Sequence, residues 1–328
     1  MYLSVCIPTF NFEKYIKNCI ESITNQNVNN KDFEIVIGDS STNNKTFEII
    51  KKLKKKNNNI VYKKFKQKGG IDIDLEKTSR MCKGKYILFL SSDDSLIKGA
   101  LDKIINFTKS NNEVYLFNRI ICDKKLKIKK KPYWIAKRFH KKTFHFFDKL
   151  SLKEYVSNSN SIGALFSYMS CIVIKNHNYR QSRIFKKFIG TNYLHVQKII
   201  SLLFKQNNKI QYFKDHLVLF RGDNDSFKKD GYINRILIDF YGYKLFHQKY
   251  FNKEYISYIF LKLMRREHKY YYLIRLGEYI KDKKEWIKIN NYLNFYNYNK
   301  FQIFVIQYFG KSNFLIFILR TLKKKLNL

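Results

Sequence analysis

Hydrophobic residues follow two alternating patterns along the first 120 residues. Short apolar runs typical of strands alternate with segments in which apolar side chains repeat at helical spacing. The predicted strands are residues 2–8, 33–37, 59–65, 85–90 and 114–119. The predicted helices are residues 13–23, 46–53, 74–81 and 100–108. This alternation predicts an α/β fold with a mainly parallel sheet flanked by helices and right-handed crossovers.

Polar loops lie where these strands end or the helices begin, at Thr9, Asp39, Gly70 and Asp93. In an open α/β sheet the loops after the strands gather at one edge, and ligands bind in the crevice there. We therefore expect Asp39 and Asp94, although far apart in the chain, to face one crevice.

Two adjacent carboxylates, Asp93 and Asp94, directly follow the apolar run 85–90. A divalent cation that bridges carboxylate and phosphate oxygens would neutralise them, so the pair predicts a metal–nucleotide site. A turn or a helix N-terminus explains the same pair, and the tetrapeptide alone leaves both interpretations open. The sequence has neither G-x-G-x-x-G after its first strand nor a P-loop motif, which argues against a dehydrogenase or a P-loop enzyme.

The middle of the chain combines basic and aromatic residues with further short elements. Residues 122–149 suit a solvated loop or hairpin, or a docking surface for an anionic acceptor or membrane. Residues 163–174 predict a strand after a helical turn, and Thr191 is the expected N-cap of a helix to about residue 205. Two strands are expected at residues 210–213 and 217–221.

Residues 229–328 show helical spacing without a motif that indicates chemistry. Two apolar blocks, residues 301–310 and 314–319, are each shorter than the roughly 20 residues that span a bilayer, and Lys311 separates them. Aromatic and aliphatic residues beside a basic cluster favour a helix at a membrane surface. The alternative is a helical appendage that covers the core.

Composition adds charge and redox information to this picture. The formal net charge is +38, from 64 Lys and Arg against 26 Asp and Glu, and such charge attracts polyanions. A compositional bias of the genome would produce part of it. No helix-turn-helix, RNP or zinc pattern appears, so no specific nucleic acid is expected as a partner. Five scattered cysteines without a C-x-x-C pair, and no signal peptide before the first strand, favour a reducing cytosol.

Four stretches together resemble the nucleotide-binding half of the family 2 glycosyltransferases, most closely an abequosyltransferase-like branch. They are VCIPTFN, VIGDSSTNN, GGIDID and GKYILFLSSDD. The resemblance implies a GT-A, Rossmann-like fold over residues 1–228, with a nucleotide-sugar half (1–110) and an acceptor half (111–228). Residues 229–328 would form a basic, mostly helical C-terminal extension.

The resemblance also implies roles for individual residues. Nucleotide-sugar binding would involve Pro8, Thr9, Phe10, Asp39, Gly70, Asp72, Asp74, Asp93 and Arg221. Thr9 and Phe10 would line the nucleobase pocket, and Asp39 would accept from the base ring. Asp72 and Asp74 lie where the family closes the nucleotide site, and a turn acid and a helix N-terminal acid are equally good interpretations.

Asp93 and Asp94 would form the D-x-D-type element that holds Mn²⁺ or Mg²⁺. Ser92 stands where we expect the first acid of that motif. The resemblance therefore implies Asp94 as the principal metal ligand and Asp93 as the second. Family members that invert the anomeric centre need a base to deprotonate the acceptor. The predicted helix start offers His195, and Asp225 is its rival; a neutral imidazole can act near neutrality. Arg221 would contact the diphosphate.

These assignments predict an inverting, metal-dependent glycosyltransferase that uses a nucleotide-sugar donor. The resemblance suggests a glycan or glycolipid acceptor, a precursor of a bacterial surface glycan. The protein would lie in the cytoplasm, peripherally at the inner face of the plasma membrane, on an anionic lipid surface. The alternatives are a nucleic-acid-binding protein and a catalytically inactive relative of the family.

Overall fold

The computed structural model describes residues 1–222, 232–274, 276, 280 and 282–309 of the chain. The chain divides into two compact units, residues 1–224 and 225–328. The boundary predicted between residues 228 and 229 falls in the segment 223–231, which lies outside the described residues.

The described part of the first unit is built on a ten-stranded sheet with flanking helices. Its strands are β1 Leu3–Thr9, β2 Phe33–Asp39, β3 Ile60–Lys64, β4 Tyr86–Phe89, β5 Ser95–Leu96, β6 Val114–Cys122, β7 Ile128–Lys130, β8 Lys142–Phe144, β9 Ile172–Lys175 and β10 Ile210–Arg221. Its helices are α1 Glu13–Thr24, α2 Lys45–Lys54, α3 Gly70–Met81, α4 Ala100–Thr108, α5 Lys149–Ser157, α6 Asn176–Gln181 and α7 Leu194–Leu203.

The strand order is β3-β2-β1-β4-β9-β6-β10-β5, with β7 paired to β6 and β8 to β10. Strands β3, β2, β1 and β4 are parallel, as expected for strands joined through helices. β9 enters antiparallel between β4 and β6, while β6 and β10 are parallel. The predicted α/β fold is therefore confirmed, with a mixed sheet in which parallel pairing is concentrated in the N-terminal half.

The core lies on both faces of the central strands. Every residue of β1, β2 and β4 is buried, which explains their near-continuous apolar sequences. α3 packs directly on β2 at Gly38, where a Cβ would lie 2.0 Å from the Oγ1 of Thr78. A glycine is thus required at this position for the helix to approach the sheet.

Several predicted elements differ in their boundaries. Residues 210–221 form one strand with irregular register against β6 rather than two strands. The N-cap of α7 is Tyr193, not Thr191, because Gly190 (φ +83°) and Asn192 (φ +65°) on either side of Thr191 have left-handed backbone conformations. Residues 162–171 are largely 3₁₀ turns, so the strand predicted over 163–174 is confined to β9.

The basic segment 122–149 contains ordered structure. β7 forms an antiparallel pair with β6, which is the hairpin that the sequence left open. β8 pairs with the start of β10, and Asp148 caps α5 by accepting from the backbone N–H of Ser151 at 2.7 Å. The segment is therefore held at both ends by the sheet.

The described part of the second unit is helical, as predicted. Its elements are α8 Tyr232–Phe246, a π-helical turn His247–Phe251, α9 Glu254–Glu267, α10 Tyr270–Leu273, α11 Lys283–Phe295 and α12 Lys300–Phe309. The ring of Phe240 packs within 6 Å of the rings of His268, Tyr292 and Tyr296. Among the described residues we find no helix whose length and apolar character would let it cross a membrane. The predicted block 314–319 and Lys311 lie outside the described residues.

Candidate active site

Three loops meet at the carboxyl edge of the parallel strands. β2 and β4 pair with β1 from opposite sides, and Thr9 at the end of β1 is in register with Asp39. The loop Ser91–Asp94 follows β4, so Asp39 and Asp94 lie at the same edge, as the strand pattern predicts.

Asp94 is held beneath this edge by three donors. The hydroxyls of Tyr168 and Ser170 both donate to its Oδ2, the second at 2.7 Å, and the backbone N–H of Arg221 donates to its Oδ1 at 3.2 Å. The residue is 1% exposed. Burial, reinforced by the neighbouring Asp93 charge, raises the pKa of Asp94 to about 7. These contacts make Asp94 the anchor of the loop.

Asp93 is the more open of the two carboxylates. It is half-buried, and its Oδ1 accepts from the Ser91 hydroxyl at 2.5 Å. Among the described residues, no group of three or more acidic, histidine or cysteine side chains could enclose a metal ion. Mg²⁺ in nucleotide sites is held by one or two carboxylates plus substrate phosphates. Asp93 fits that arrangement better than Asp94, whose two oxygens already accept from three protein donors.

Arg221 joins the same loop to the end of β10. Its Nε donates to the main-chain carbonyl of Asp93 at 2.9 Å, and its Nη1 donates to the carbonyl of Lys124 at 2.7 Å. The guanidinium lies over the Tyr15 ring, and Nη2 is buried without a partner among the described residues. Nη2 is thus the group that remains for the predicted contact with a diphosphate.

The residues predicted to bind the nucleobase surround the end of β1. Asp39 is fully buried and accepts from the backbone N–H of Ser41 and the hydroxyl of Tyr62, each at 2.8 Å. Pro8 is paired within the β1–β2 ladder. Phe10 is half-buried, with the Lys68 ammonium 3.9 Å from its ring centre.

Two buried hydroxyls at this edge have no hydrogen-bond partner in the described part of the chain, Thr9 Oγ1 and Ser40 Oγ. Buried polar groups are normally paired, with protein, water or ligand. They lie where the nucleobase is predicted, because Ser40 directly follows Asp39 and Thr9 is in register with Asp39. A ligand that supplies polar atoms at this edge would satisfy both hydroxyls.

Three of the residues predicted to bind the nucleotide-sugar, Gly70, Asp72 and Asp74, lie at the start of α3. Gly70 begins α3 with φ +74°, a conformation that favours glycine. Asp74 Oδ1 accepts from the backbone N–H of Gly69 at 3.0 Å. Asp72 accepts from the backbone N–H groups of Gly190, Asn192 and Leu194 at 2.8–3.0 Å. For both acids these contacts correspond to the helix-terminus interpretation, and Asp72 caps a helix distant in sequence.

His195 is the second residue of α7 and is buried. Its Nε2 lies 3.2 Å from the carbonyl oxygen of Phe166 and must carry the hydrogen, because a carbonyl only accepts. The proton-accepting nitrogen is then Nδ1, which is buried without a partner among the described residues. Burial lowers the pKa of His195 to about 4. The imidazole is neutral, but its basic nitrogen is enclosed. Asp225, the rival base, lies outside the described residues.

Sequence reasoning missed two residues that the structure places at the site, Tyr168 and Ser170. Both bind Asp94 from the loop before β9, 74 and 76 residues further along the chain. The signal available was the polar pair inside the apolar stretch 163–174, which we interpreted as part of a strand.

The chain belongs to glycosyl transferase family 2, whose sequence profile matches residues 4–189. It is 31% identical to the abequosyltransferase RfbV of Salmonella typhimurium (strain LT2) over 254 residues, which cover 77% of this chain and 76% of that protein. It is 27% identical over 186 residues to a GalNAc(5)-diNAcBac-PP-undecaprenol beta-1,3-glucosyltransferase of Campylobacter jejuni, covering 55% of each.

Solved structures agree on the fold. Residues 1–349 of Staphylococcus aureus TarS, crystallised with UDP-GlcNAc, superpose with a TM-score of 0.63 at 18% identity, covering 90% of this chain and 80% of that one. The same fragment with UDP gives a TM-score of 0.62. The family and the GT-A-like fold predicted from the sequence are thus confirmed, and so is the prediction of a glycosyltransferase.

Proposed function

We propose that this protein transfers a sugar from a nucleotide-sugar donor to a hydroxyl of a bacterial surface-glycan precursor, with inversion at the anomeric carbon. The observation that carries the proposal is the carboxyl edge of the sheet. There the Asp93–Asp94 loop lies beside the end of β1, near the buried hydroxyls of Thr9 and Ser40, which lack a partner in the described ranges. Family membership and the likeness to an abequosyltransferase and an undecaprenol-linked glucosyltransferase support the acceptor class.

The donor diphosphate would bind with Mn²⁺ or Mg²⁺ at Asp93, with Asp94 fixing the loop from beneath. The half-buried position of Asp93, against the 1% exposure of Asp94 and its three donors, supports this division. A divalent ion bound there would offset the charge that develops on the leaving diphosphate. The Arg221 guanidinium holds the loop by its main chain, and its Nη2 adds a positive charge next to that site.

The acceptor hydroxyl must lose a proton as it attacks. The enclosed Nδ1 of His195 favours Asp225 as the base over His195. Asp225→Asn should then slow transfer by about 10²–10⁴-fold without weakening donor binding, the usual contribution of a general base. His195→Gln should keep most of the transfer rate. If His195→Gln slows transfer and Asp225→Asn does not, His195 is the base that deprotonates the acceptor.

We also propose that the protein lies peripherally on the anionic inner face of the plasma membrane. The formal charge of +38 and three exposed aromatic side chains on α12 support this, namely Phe301 (69% exposed), Phe304 (50%) and Tyr308 (57%). Co-sedimentation with vesicles that contain phosphatidylglycerol, but not with phosphatidylcholine vesicles, is the expected result. Equal or no sedimentation with both refutes the proposal.

A thermal-shift screen tests the donor site and the enzyme class together. UDP, GDP, CDP and dTDP are each added with Mn²⁺, with Mg²⁺ and with EDTA. One nucleotide should raise Tm in the presence of metal, and the matching nucleotide-sugars should then be hydrolysed slowly in the absence of acceptor. A shift without turnover of any donor indicates an inactive relative, and no shift with any pair contradicts the nucleotide site.

A further inference from the structure

The first unit contains a cluster of one guanidinium and three aromatic rings, of which only Tyr168 was placed above at the candidate site. The Arg119 guanidinium carbon lies 4.3 Å from the ring centre of Phe220, 4.4 Å from that of Tyr168 and 4.8 Å from that of Trp134. We call these four residues the Arg119 cluster. They come from β6, β10 and two loops, so the fold alone brings them together.

The cluster is rigidly built. Gly163 leaves room for the Trp134 ring, because a Cβ at that position would lie 2.1 Å from it. The backbone N–H of Trp134 donates to the side chain of Asn118 at 2.9 Å, next to Arg119 on β6. The rings of Tyr168 and Phe220 meet edge to face at 5.3 Å. The guanidinium is thus clamped in one place rather than free to move into solvent.

Arg119 has no anionic partner among the described residues. It belongs to none of the ion pairs found there, and its Nε is buried without an acceptor. Aromatic faces offset part of the cost of half-burying the charge. They cannot accept the in-plane hydrogen bonds that a guanidinium offers to a carboxylate or phosphate. The two Nη groups of this half-buried side chain, rather than the enclosed Nε, are therefore the donors that an anion from outside the protein would meet.

The cluster adjoins the candidate active site through two of its members. The Tyr168 hydroxyl donates to Asp94, and Phe220 directly precedes Arg221, which contacts Asp93 and Asp94. β6 and β10 belong to the half of the unit predicted to bind the acceptor. An anion held by Arg119 would thus lie beside the reacting sugar, on the side away from β1 and β2.

We propose that the Arg119 cluster is a binding site for an anionic sugar residue of the acceptor, with its carboxylate or phosphate on the guanidinium and its apolar face on the aromatic rings. The proposal rests on the proposed transferase function, and it specifies that the acceptor carries a negatively charged sugar residue. The planar guanidinium fork matches a carboxylate or phosphate edge, and the rings supply a flat apolar wall. The other source of the same chemistry is the donor diphosphate, which the test distinguishes.

Trp134 provides the readout, since the chain has two tryptophans and Trp286→Phe leaves Trp134 alone. In that background the full-length protein is titrated with glucuronate, glucose 6-phosphate and neutral glucose at constant ionic strength. Fluorescence should change saturably with both anionic sugars, and binding of glucose should be about tenfold weaker or more. Arg119→Gln should abolish the preference, whereas Lys130→Gln, which removes one exposed charge on β7, should retain it.

Arg119→Lys keeps the positive charge but loses the planar guanidinium with its paired N–H donors. It should weaken the binding of glucuronate and glucose 6-phosphate by about tenfold, while Tm stays close to that of the parent. It keeps the test informative if Arg119→Gln does not fold. Equal binding of glucose and glucuronate, or an unchanged preference in Arg119→Lys and Arg119→Gln, overturns the proposal.

The titration is repeated with the nucleoside diphosphate and metal that stabilise the protein most. Unchanged binding of the anionic sugars places them at the acceptor, as proposed. Competition by the nucleotide assigns the cluster to the donor diphosphate and overturns the acceptor assignment. A nucleotide-induced Tm shift without sugar binding refutes only this inference, whereas sugar binding without any nucleotide shift refutes the proposed transferase.

Discussion

The carboxylate of Asp72 accepts a hydrogen bond from the backbone N–H of Leu194 at 3.0 Å, across 122 residues of sequence. It also accepts from the N–H groups of Gly190 and Asn192, while Tyr193, the local N-cap residue of α7, makes no side-chain cap. Helix N-termini expose unpaired N–H groups and favour negative charge. A side chain of α3 thus performs the capping of α7, the helix that carries His195.

Replacing Asp72 by Asn should destabilise the first unit by about 1–3 kcal/mol, the cost of leaving a buried donor without an acceptor. The amide keeps one oxygen for three N–H groups and directs an NH₂ toward the rest. Urea unfolding at pH 7 measures the loss. The matched control is Asp102→Asn on the exposed face of α4, expected to change stability by no more than about 0.5 kcal/mol. Equal losses in the two variants contradict the capping role.

The same two helices are joined by a buried ion pair, with the Lys198 ammonium 2.6 Å from Glu76 Oε2 and the lysine side chain 0% exposed. Burial lowers the pKa of Lys198, and the Glu76 charge opposes that shift. Lys198→Met should cost about 3–5 kcal/mol, because it removes one partner of a buried pair. The loss should be smaller in Lys198→Met combined with Glu76→Gln, since Glu76 in the single variant keeps only the partly exposed Arg80 as a cationic partner, at 2.9 Å.

A double-mutant cycle on these variants measures the coupling, which should exceed about 1 kcal/mol for residues in direct contact. The comparison pair is Lys17 and Glu21 on α1, whose side chains are 61% and 39% exposed. Their coupling should stay below about 1 kcal/mol, as in other surface pairs. If the buried pair couples no more strongly than the exposed one, it is not what holds α3 to α7.

Local patterns predict the strands, the helices and the edge at which the site lies, because burial follows the periods of the two structures. They do not predict contacts between distant segments. Asp93 and Asp94 are neighbours with opposite environments, and the difference comes from Tyr168, Ser170 and Arg221. From the sequence, Asp72 is equally well a nucleotide-site residue, a turn acid or a helix N-terminal acid. Only the fold shows that its carboxylate accepts from the backbone at the start of α7.

Other differences have local causes that the sequence did contain. Gly190 and Asn192 are residue types that tolerate left-handed backbone, and together they move the N-cap of α7 two residues on from Thr191, to Tyr193. The antiparallel entry of β9 has no such signal, because the apolar sequence of a buried strand is the same in either direction.

The different environments of the two acidic residues predict different phenotypes. Asp93→Asn should abolish metal-dependent donor hydrolysis and change the free energy of unfolding by less than about 1 kcal/mol, because its carboxylate is half-buried. Asp94→Asn should cost about 1–3 kcal/mol, since one amide oxygen cannot replace the two carboxylate oxygens that accept from Tyr168, Ser170 and the N–H of Arg221. Hydrolysis with graded Mn²⁺ and urea unfolding measure the two effects. Loss of the metal response in Asp94→Asn alone, with normal stability, returns the ligand role to Asp94.

His195 predicts a pH dependence of stability with a definite sign. Burial lowers its pKa to about 4 in the folded chain, against 6.5 when exposed. Between these values the unfolded chain binds a proton that the folded chain does not, so stability rises with pH and falls on acidification. From pH 7 to pH 5 this group should remove about 2 kcal/mol of stability.

Urea unfolding at pH 7 and pH 5 tests this dependence by comparing wild type with His195→Gln, whose amide can still donate to the Phe166 carbonyl. The variant should lose about 2 kcal/mol less on acidification than wild type, because glutamine does not titrate. His177→Gln, at an exposed position on α6, is the matched control and should follow wild type. If His195→Gln and wild type lose the same stability, the imidazole is not held neutral by burial. Its neutral, proton-accepting form would then be lost at a higher pH than the structure indicates.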